Sequence, residues 1–130
     1  MRFAQTFKAL SAALLLFIFS AAALAEGEIR LLVQSSPLAG SQFHALTRLA
    51  DRIKTGDRLS LKREPENRFD ANAVRVEWQG EMLGYVPRRE NRAVAAAMDR
   101  GELLDGRIIH FAPNDPDPWQ RLLLEIWVKL

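Results

Sequence analysis

The 130-residue sequence contains no cysteine. That absence removes disulfide staples, thiol nucleophiles and cysteine metal sites together. There are two histidines, His44 and His110. A zinc site would need both of them plus carboxylates, and nothing in their spacing suggests one. No serine sits in a nucleophile-elbow pattern, and no glycine-rich phosphate loop is present. Internal repeats, low-complexity tracts and linkers are missing as well. Hydrolysis would have to rest on a His44–Asp70 pair acting as base and orienter. A binding module with no cofactor and no metal is therefore expected, not an enzyme.

Long apolar runs are confined to the start of the chain. Arg2 and Lys8 precede an apolar stretch from Leu10 to Ala23, which ends in Ala23-Leu24-Ala25. A basic start, a short apolar region and an A-x-A ending describe a secretory signal peptide. The stretch is short for a membrane span, which needs about 20 residues. Residues 1–25 are expected to be a cleaved leader, with an uncleaved N-terminal anchor as the alternative and the only expected link to a membrane. Residues 26–130 then form one exported domain, periplasmic or extracellular, and a monomer is expected. With no cysteine near the cut, a lipid-modified N-terminus is excluded.

Net charge is also lacking. From Glu26 onward sixteen basic residues face sixteen acidic ones, so bulk attraction to nucleic acid is not expected. The charge is unevenly placed. Arg48 to Arg92 holds 11 basic and 8 acidic residues, whereas the remainder after Arg92 holds 4 and 6. An anionic partner would dock on the middle of the chain.

What is present is mostly strand. Ile29, Leu31 and Val33 alternate with Arg30, Leu32 and Gln34, and Ser35-Ser36-Pro37 is expected to end that strand. Leu46, Leu49, Ala50 and Ile53 recur at helical spacing, which predicts a helix over Phe43–Lys54 with Gly56 as its C-terminal cap. Further strands are predicted at Leu59–Leu61, Val74–Trp78, Met82–Val86, Arg107–Phe111 and Leu122–Val128. Gln79-Gly80 turns the second and third of these into a hairpin. An alanine-rich helix over Asn91–Arg100 turns Val94, Ala97 and Met98 inward and stops at Gly101. The pattern is mainly β: a small barrel or sandwich of about six strands carrying one or two short helices.

Between two of these strands lies REPENRFDANAV, Arg63 to Val74. Asn67, Asp70 and Asn72 suit a tight connection because their side chains bond to nearby backbone. Pro65 fixes its own φ and biases Glu64 toward extended structure. None of this explains Phe69 at the tip. A large aromatic there either folds back over the core, its usual fate, or stands ready for a partner.

The stretch from Gly56 to Asn91 resembles the HIRAN domain family. Gly56-Asp57, the Leu59–Leu61 strand, the whole Arg63–Val74 run and Gly84-Tyr85-Val86-Pro87-Arg88 match the family pattern in order. The likeness extends from about Leu31 to Leu130. It is strongest to small stand-alone bacterial members, which share the segment Pro87 to Asn91 and a Pro-Trp, here Pro118-Trp119. The resemblance implies an OB-like or SH3-like β-barrel. In modules of eukaryotic DNA translocases that remodel replication forks, this barrel captures the 3′-hydroxyl end of single-stranded DNA.

Carried over residue by residue, the resemblance implies a binding site made of Gln42, Phe43, His44, Asn67, Phe69, Asp70, Tyr85, Arg88 and Phe111. Phe43, Phe69, Tyr85 and Phe111 would stack on bases. Arg88, aided by Arg89 or Arg92, would neutralise a phosphate, and Asp70 would accept from a terminal 3′-hydroxyl. Gln42 stands where the family has a basic residue, and His44 where it has a tyrosine-like aromatic. From the residues alone, Phe43 and Phe111 read equally well as core, Tyr85 as a strand residue with a bonded hydroxyl, and Arg88, Arg89 and Arg92 as a solvated helix start paired with Glu90. The partner is expected to be a single-stranded DNA end. An exported envelope module holding a glycan, peptide or protein in the same groove is the alternative, favoured if Trp119 and Trp127 are exposed.

Overall fold

The computed structural model describes residues 28–130; the expected leader lies outside them. Six strands form the domain: β1 (Arg30–Pro37), β2 (Arg58–Arg63), β3 (Val74–Trp78), β4 (Glu81–Tyr85), β5 (Leu104–Phe111) and β6 (Leu122–Lys129). Every pairing is antiparallel, in the order β1-β6-β5-β2-β3-β4. The sheet then closes on itself. Beyond β1, the Leu38 amide still donates to Leu122 on β6, and Ala39 crosses to Tyr85 at the end of β4. Ala39 and Tyr85 exchange two backbone hydrogen bonds of 2.9 Å. The result is an OB-like barrel with two short helices, α1 (Leu46–Leu49) and α2 (Arg92–Asp99).

The closure depends on Gly84. A Cβ at this position would collide with the Ala39 carbonyl oxygen and lie 3.1 Å from the Leu38 side chain. Strand interiors disfavour glycine unless another backbone must come close, and here one does.

The core follows the alternation of the strands. Leu59, Val74, Val76, Leu83, Ile108, Leu122, Leu124 and Ile126 point inward, and Leu38, Leu46 and Val94 pack against them. The register shift between Val76 and Glu77 leaves Leu83 of β4 as the extra residue; the Glu77 carboxylate is buried, and Lys62 meets it at 3.0 Å. The hairpin turn is as expected, with positive φ at both Gln79 (47°) and Gly80 (80°). At the end of α2 the Gly101 amide bonds to Met98 and the Glu102 amide to Ala97, the Schellman pattern that Gly101 suggested.

Two expectations are corrected. The first strand does not end at Ser35-Ser36-Pro37. It runs through Pro37, with Ser36 buried and Leu31, Leu32 and Val33 exposed. A bulge between Leu32 and Gln34 shifts the register, so the early apolar alternation did not mark the inward face. Nor is Phe43–Lys54 one helix. A 3₁₀ turn at Ser41–Phe43 and the single turn of α1 replace it. Leu46, Leu49 and Ile53 are buried, so their spacing recorded burial along a winding loop. Gly56 consequently caps no helix. It has a φ of 94° and its amide bonds to Ile108 of β5.

Candidate functional site

The connection from Glu64 to Ala73 is a rigid loop. The Glu64 amide donates to the Ala73 carbonyl at 2.9 Å and closes its base. Inside it, Asn67 Oδ1 accepts from the amides of Phe69 (2.9 Å) and Asp70 (3.1 Å). Asp70 Oδ1 accepts from the Asn72 amide at 2.9 Å. Arg63 fastens the loop from outside. Its guanidinium donates to the carbonyls of Ala71 (2.7 Å) and Ala73 (3.1 Å) and pairs with Asp99 of α2.

That network decides where Phe69 points. With its amide held by Asn67, the ring projects into solvent and is 83% exposed. The reading of Phe69 as core cover is thus corrected. The polar loop is satisfied by its own backbone bonds, and the aromatic is displayed at its tip.

A cleft of about 290 Å³ opens beneath this tip. Asn67, Phe69, Asp70, Tyr85 and Arg88 line it, with Ala39 from the closing seam. The structure therefore brings together five of the nine site residues named from sequence. A larger hollow of about 620 Å³ over the outer face of β5 and β6 includes none of them.

Behind one wall, and not itself lining the cleft, lies the hydrogen-bonded carboxylate of Glu64. Tyr85 Oη donates to Glu64 Oε1 at 2.9 Å, and Asn67 Nδ2 donates to the same oxygen at 3.0 Å. Arg75 lies 2.9 Å from the other oxygen. Burial alone would raise the Glu64 pKa, but the bonds from Asn67 and Tyr85 and the Arg75 charge outweigh it and hold Glu64 below the usual carboxylate range. Burial, followed by the bond to Glu64, raises the Tyr85 hydroxyl above its ordinary value. The phenol therefore remains a neutral donor with a fixed ring.

The opposite wall holds Asp70. Its Oδ2 accepts from Asn91 Nδ2 at 2.7 Å. Asn91 sits at the start of α2 and is only 1% exposed. Sequence reading used Asn91 as a helix boundary and as the last residue of the shared Pro87–Asn91 segment. Neither use gave a sign that its amide donates to Asp70. Each Asp70 oxygen has one protein donor, so acceptor capacity remains for a ligand.

One cation, Arg88, lines the cleft. Arg88 is exposed, as are Arg68, Arg89 and Arg92, and none of the four makes an ion pair among the described residues. The expected pairing with Glu90 is not formed. Arg89 instead lies over Trp119, 5.5 Å from the ring centroid.

The other four residues named from sequence lie elsewhere. His44 meets Tyr85 edge-on at 6.1 Å and extends the aromatic wall. Gln42 and Phe43 occupy the exposed 3₁₀ turn before it, Phe43 being 79% exposed. Phe111 pairs with Leu122 across β5 and β6, packs on the core and does not line the cleft. His44 and Asp70 share no hydrogen bond; Asp70 is engaged by Asn72 and Asn91. No cluster of three or more His, Asp or Glu side chains suited to a metal occurs among the described residues.

Comparison with known proteins agrees with this fold. No curated protein matches the chain by sequence. A Lactobacillus plantarum protein of known crystal structure is similar at 26% identity and a TM-score of 0.71, covering 79% of this chain and 98% of its own. The HIRAN domain of human HLTF is similar in fold at 22% identity and a TM-score of 0.58, covering 77% and 80%. A family model for the HIRAN domain matches residues 31–130, the whole barrel from β1 to the C-terminus, and the chain belongs to that family.

Proposed function

We propose that this protein is a non-catalytic module that captures the 3′-hydroxyl end of single-stranded DNA. One observation carries the reading. A single cleft holds a displayed aromatic, an oriented carboxylate with spare acceptor capacity and an unpaired guanidinium. These are the three groups needed to hold a base, a sugar hydroxyl and a phosphate.

In this mechanism the terminal base lies against Phe69 and Tyr85, each stacked base contributing about 1–3 kcal/mol. The 3′-hydroxyl donates to Asp70, held in place by Asn91. Arg88 neutralises the phosphate on the 5′ side. A strand ending in a 3′-phosphate would set an anion against the Asp70 carboxylate, and a continuing strand would do the same. The acid therefore makes the site an end reader. The unpaired arginines supply local positive potential that the balanced total charge does not.

Fluorescence anisotropy with two oligonucleotides tests the reading, one ending in a 3′-hydroxyl and its twin in a 3′-phosphate. The hydroxyl form should bind more tightly, and Asp70→Asn, which keeps an acceptor for the Asn72 amide, should erase the preference. Equal weak binding that vanishes with salt would refute an end reader.

The second reading keeps the groove and changes the occupant to a glycan, peptide or protein of the cell envelope. The balanced charge from Glu26 onward and the exposure of Trp119 favour it, whereas Trp127 is half-buried and does not. It goes with cleavage near Ala25 and a periplasmic or extracellular location. Absence of any oligonucleotide binding would select it.

A further inference from the structure

The hollow of about 620 Å³ on the outer face of β5 and β6 shares no residue with the cleft. Its back is firmly built. The Gly56 amide donates to the Ile108 carbonyl at 2.7 Å, and the Ile108 amide donates to the Asp57 carbonyl at 3.0 Å. These bonds hold the Thr55-Gly56 segment against β5. Ile109, which is 41% exposed, and the half-buried Trp127 supply apolar surface. Small-ligand sites are commonly of this kind, mostly apolar with a few convergent polar groups.

The convergent polar groups are Arg107 and Glu125. They stand directly opposite each other on β5 and β6, and both line the hollow. Neither makes an ion pair among the described residues. The neighbouring charges are already engaged: Arg30 bonds to Glu28 and Asp105, and Asp105 also accepts from Arg58. Trp127 has an open polar edge as well. A tryptophan N–H withdrawn from water usually finds a partner, as that of Trp78 does on Asp57 at 3.0 Å. The Trp127 N–H has no acceptor among the described residues.

We infer that this hollow is a binding site for a neutral glycan, which seats a pyranose ring between Trp127, Arg107 and Glu125. The charges select the ligand class. An anion drawn to Arg107 meets Glu125 as a like charge, and a cation drawn to Glu125 meets Arg107 in the same way. A hydroxyl both donates and accepts. Neighbouring sugar hydroxyls therefore donate to Glu125 and accept from Arg107 at once, and such charge-assisted bonds are the stronger kind. The C–H face of the ring packs on Trp127 and Ile109 and leaves water there. A further hydroxyl, on this ring or the next, accepts from the indole N–H. The site is separate from the cleft, so it stands whatever the cleft holds.

The experiment is an NMR titration of the purified protein. Its three tryptophans, Trp78, Trp119 and Trp127, give three indole N–H signals, and Trp127→Phe identifies the one that matters. The probes are maltotriose, cellotriose and triacetylchitotriose, with free leucine as a zwitterion of matching charges. At least one sugar should shift the Trp127 signal saturably while the Trp78 and Trp119 signals stay in place. Arg107→Gln and Glu125→Gln lie outside the core, and each should weaken that sugar by roughly tenfold, the scale of one hydrogen bond to a charged group. No shift with any of the three sugars overturns the inference. So does a shift that both substitutions leave unchanged, or one confined to Trp119, which would put the sugar beside Arg89 instead. A response to leucine alone would make the ligand an α-amino acid and overturn the glycan.

Discussion

Replacing Gly84 by alanine should open the barrel at its seam. Gly84 is needed for space, because the added methyl group would collide with the Ala39 carbonyl. Relief requires the Ala39 segment to move away from β4, and that breaks the two 2.9 Å hydrogen bonds joining Ala39 to Tyr85. Each is worth about 0.5–1.5 kcal/mol. Overpacking against Leu38, which is 3.1 Å from the new atom, adds about 1–3 kcal/mol. Gly84→Ala should therefore cost about 2–6 kcal/mol, leaving a domain of ordinary stability folded but weakened. Urea unfolding followed by tryptophan fluorescence measures this directly. Ala39 and Tyr85 also line the cleft, so oligonucleotide affinity should fall in the same variant under conditions where it remains folded. A loss below about 0.5 kcal/mol, the size of an ordinary surface substitution, would refute the claim that this glycine makes closure possible. A large loss with unchanged affinity would show that the seam supports the fold and not the site.

Phe69→Ala should change stability by less than about 0.5 kcal/mol, because the ring is solvent-exposed, while weakening oligonucleotide binding by the value of one stacked base, about 1–3 kcal/mol; denaturation and anisotropy on the same sample separate the two. Asn91→Ala removes a buried donor from Asp70 and should cost about 1–3 kcal/mol in urea unfolding, with the 3′-end preference reduced as Asp70 loses its orientation. The Glu64 pKa is lower in the folded state than its ordinary value of 4.5, so the unfolded chain binds that proton more readily and stability must fall as pH drops. The contribution is complete above about pH 4.5 and lost as pH falls through the lowered folded value; in Glu64→Gln this part of the acid dependence should disappear from the difference between unfolding curves.

Legibility in the sequence followed the range of the interaction. The β3–β4 hairpin, α2 and the late strands were readable because their signals are local: Gln79-Gly80 for the turn, Gly101 for the helix stop, alternation at Leu122, Leu124 and Ile126. The path of β1 was not, because a bulge at Leu32/Gln34 changes which side chains face inward. The Phe43–Lys54 stretch was misread because burial of Leu46, Leu49 and Ile53 imitates helical spacing. At the site, the loop residues Asn67, Phe69 and Asp70 were named through their motif, yet the direction of Phe69 depends on which amides Asn67 accepts. Asn91 and the Ala39–Tyr85 seam depend on contacts across the barrel, for which a single sequence carries no local mark.

The start of β1 has a consequence for solubility. Among the described residues its outer edge pairs with no strand until Ala39, and Ile29, Leu31, Leu32 and Val33 stand exposed along it. An apolar strand edge of this kind is a template for another chain's backbone. Two features guard it: the bulge at Leu32/Gln34, which interrupts a flat register, and the charges of Glu28 and Arg30, which pair with each other and with Lys129 and Asp105. The Glu28 carboxyl is held down to about 2, first by Lys129 and then by Arg30, so that guard stays charged in mild acid. Self-association through this edge would thus be governed by the few residues that lead into the barrel, none of which lines the cleft.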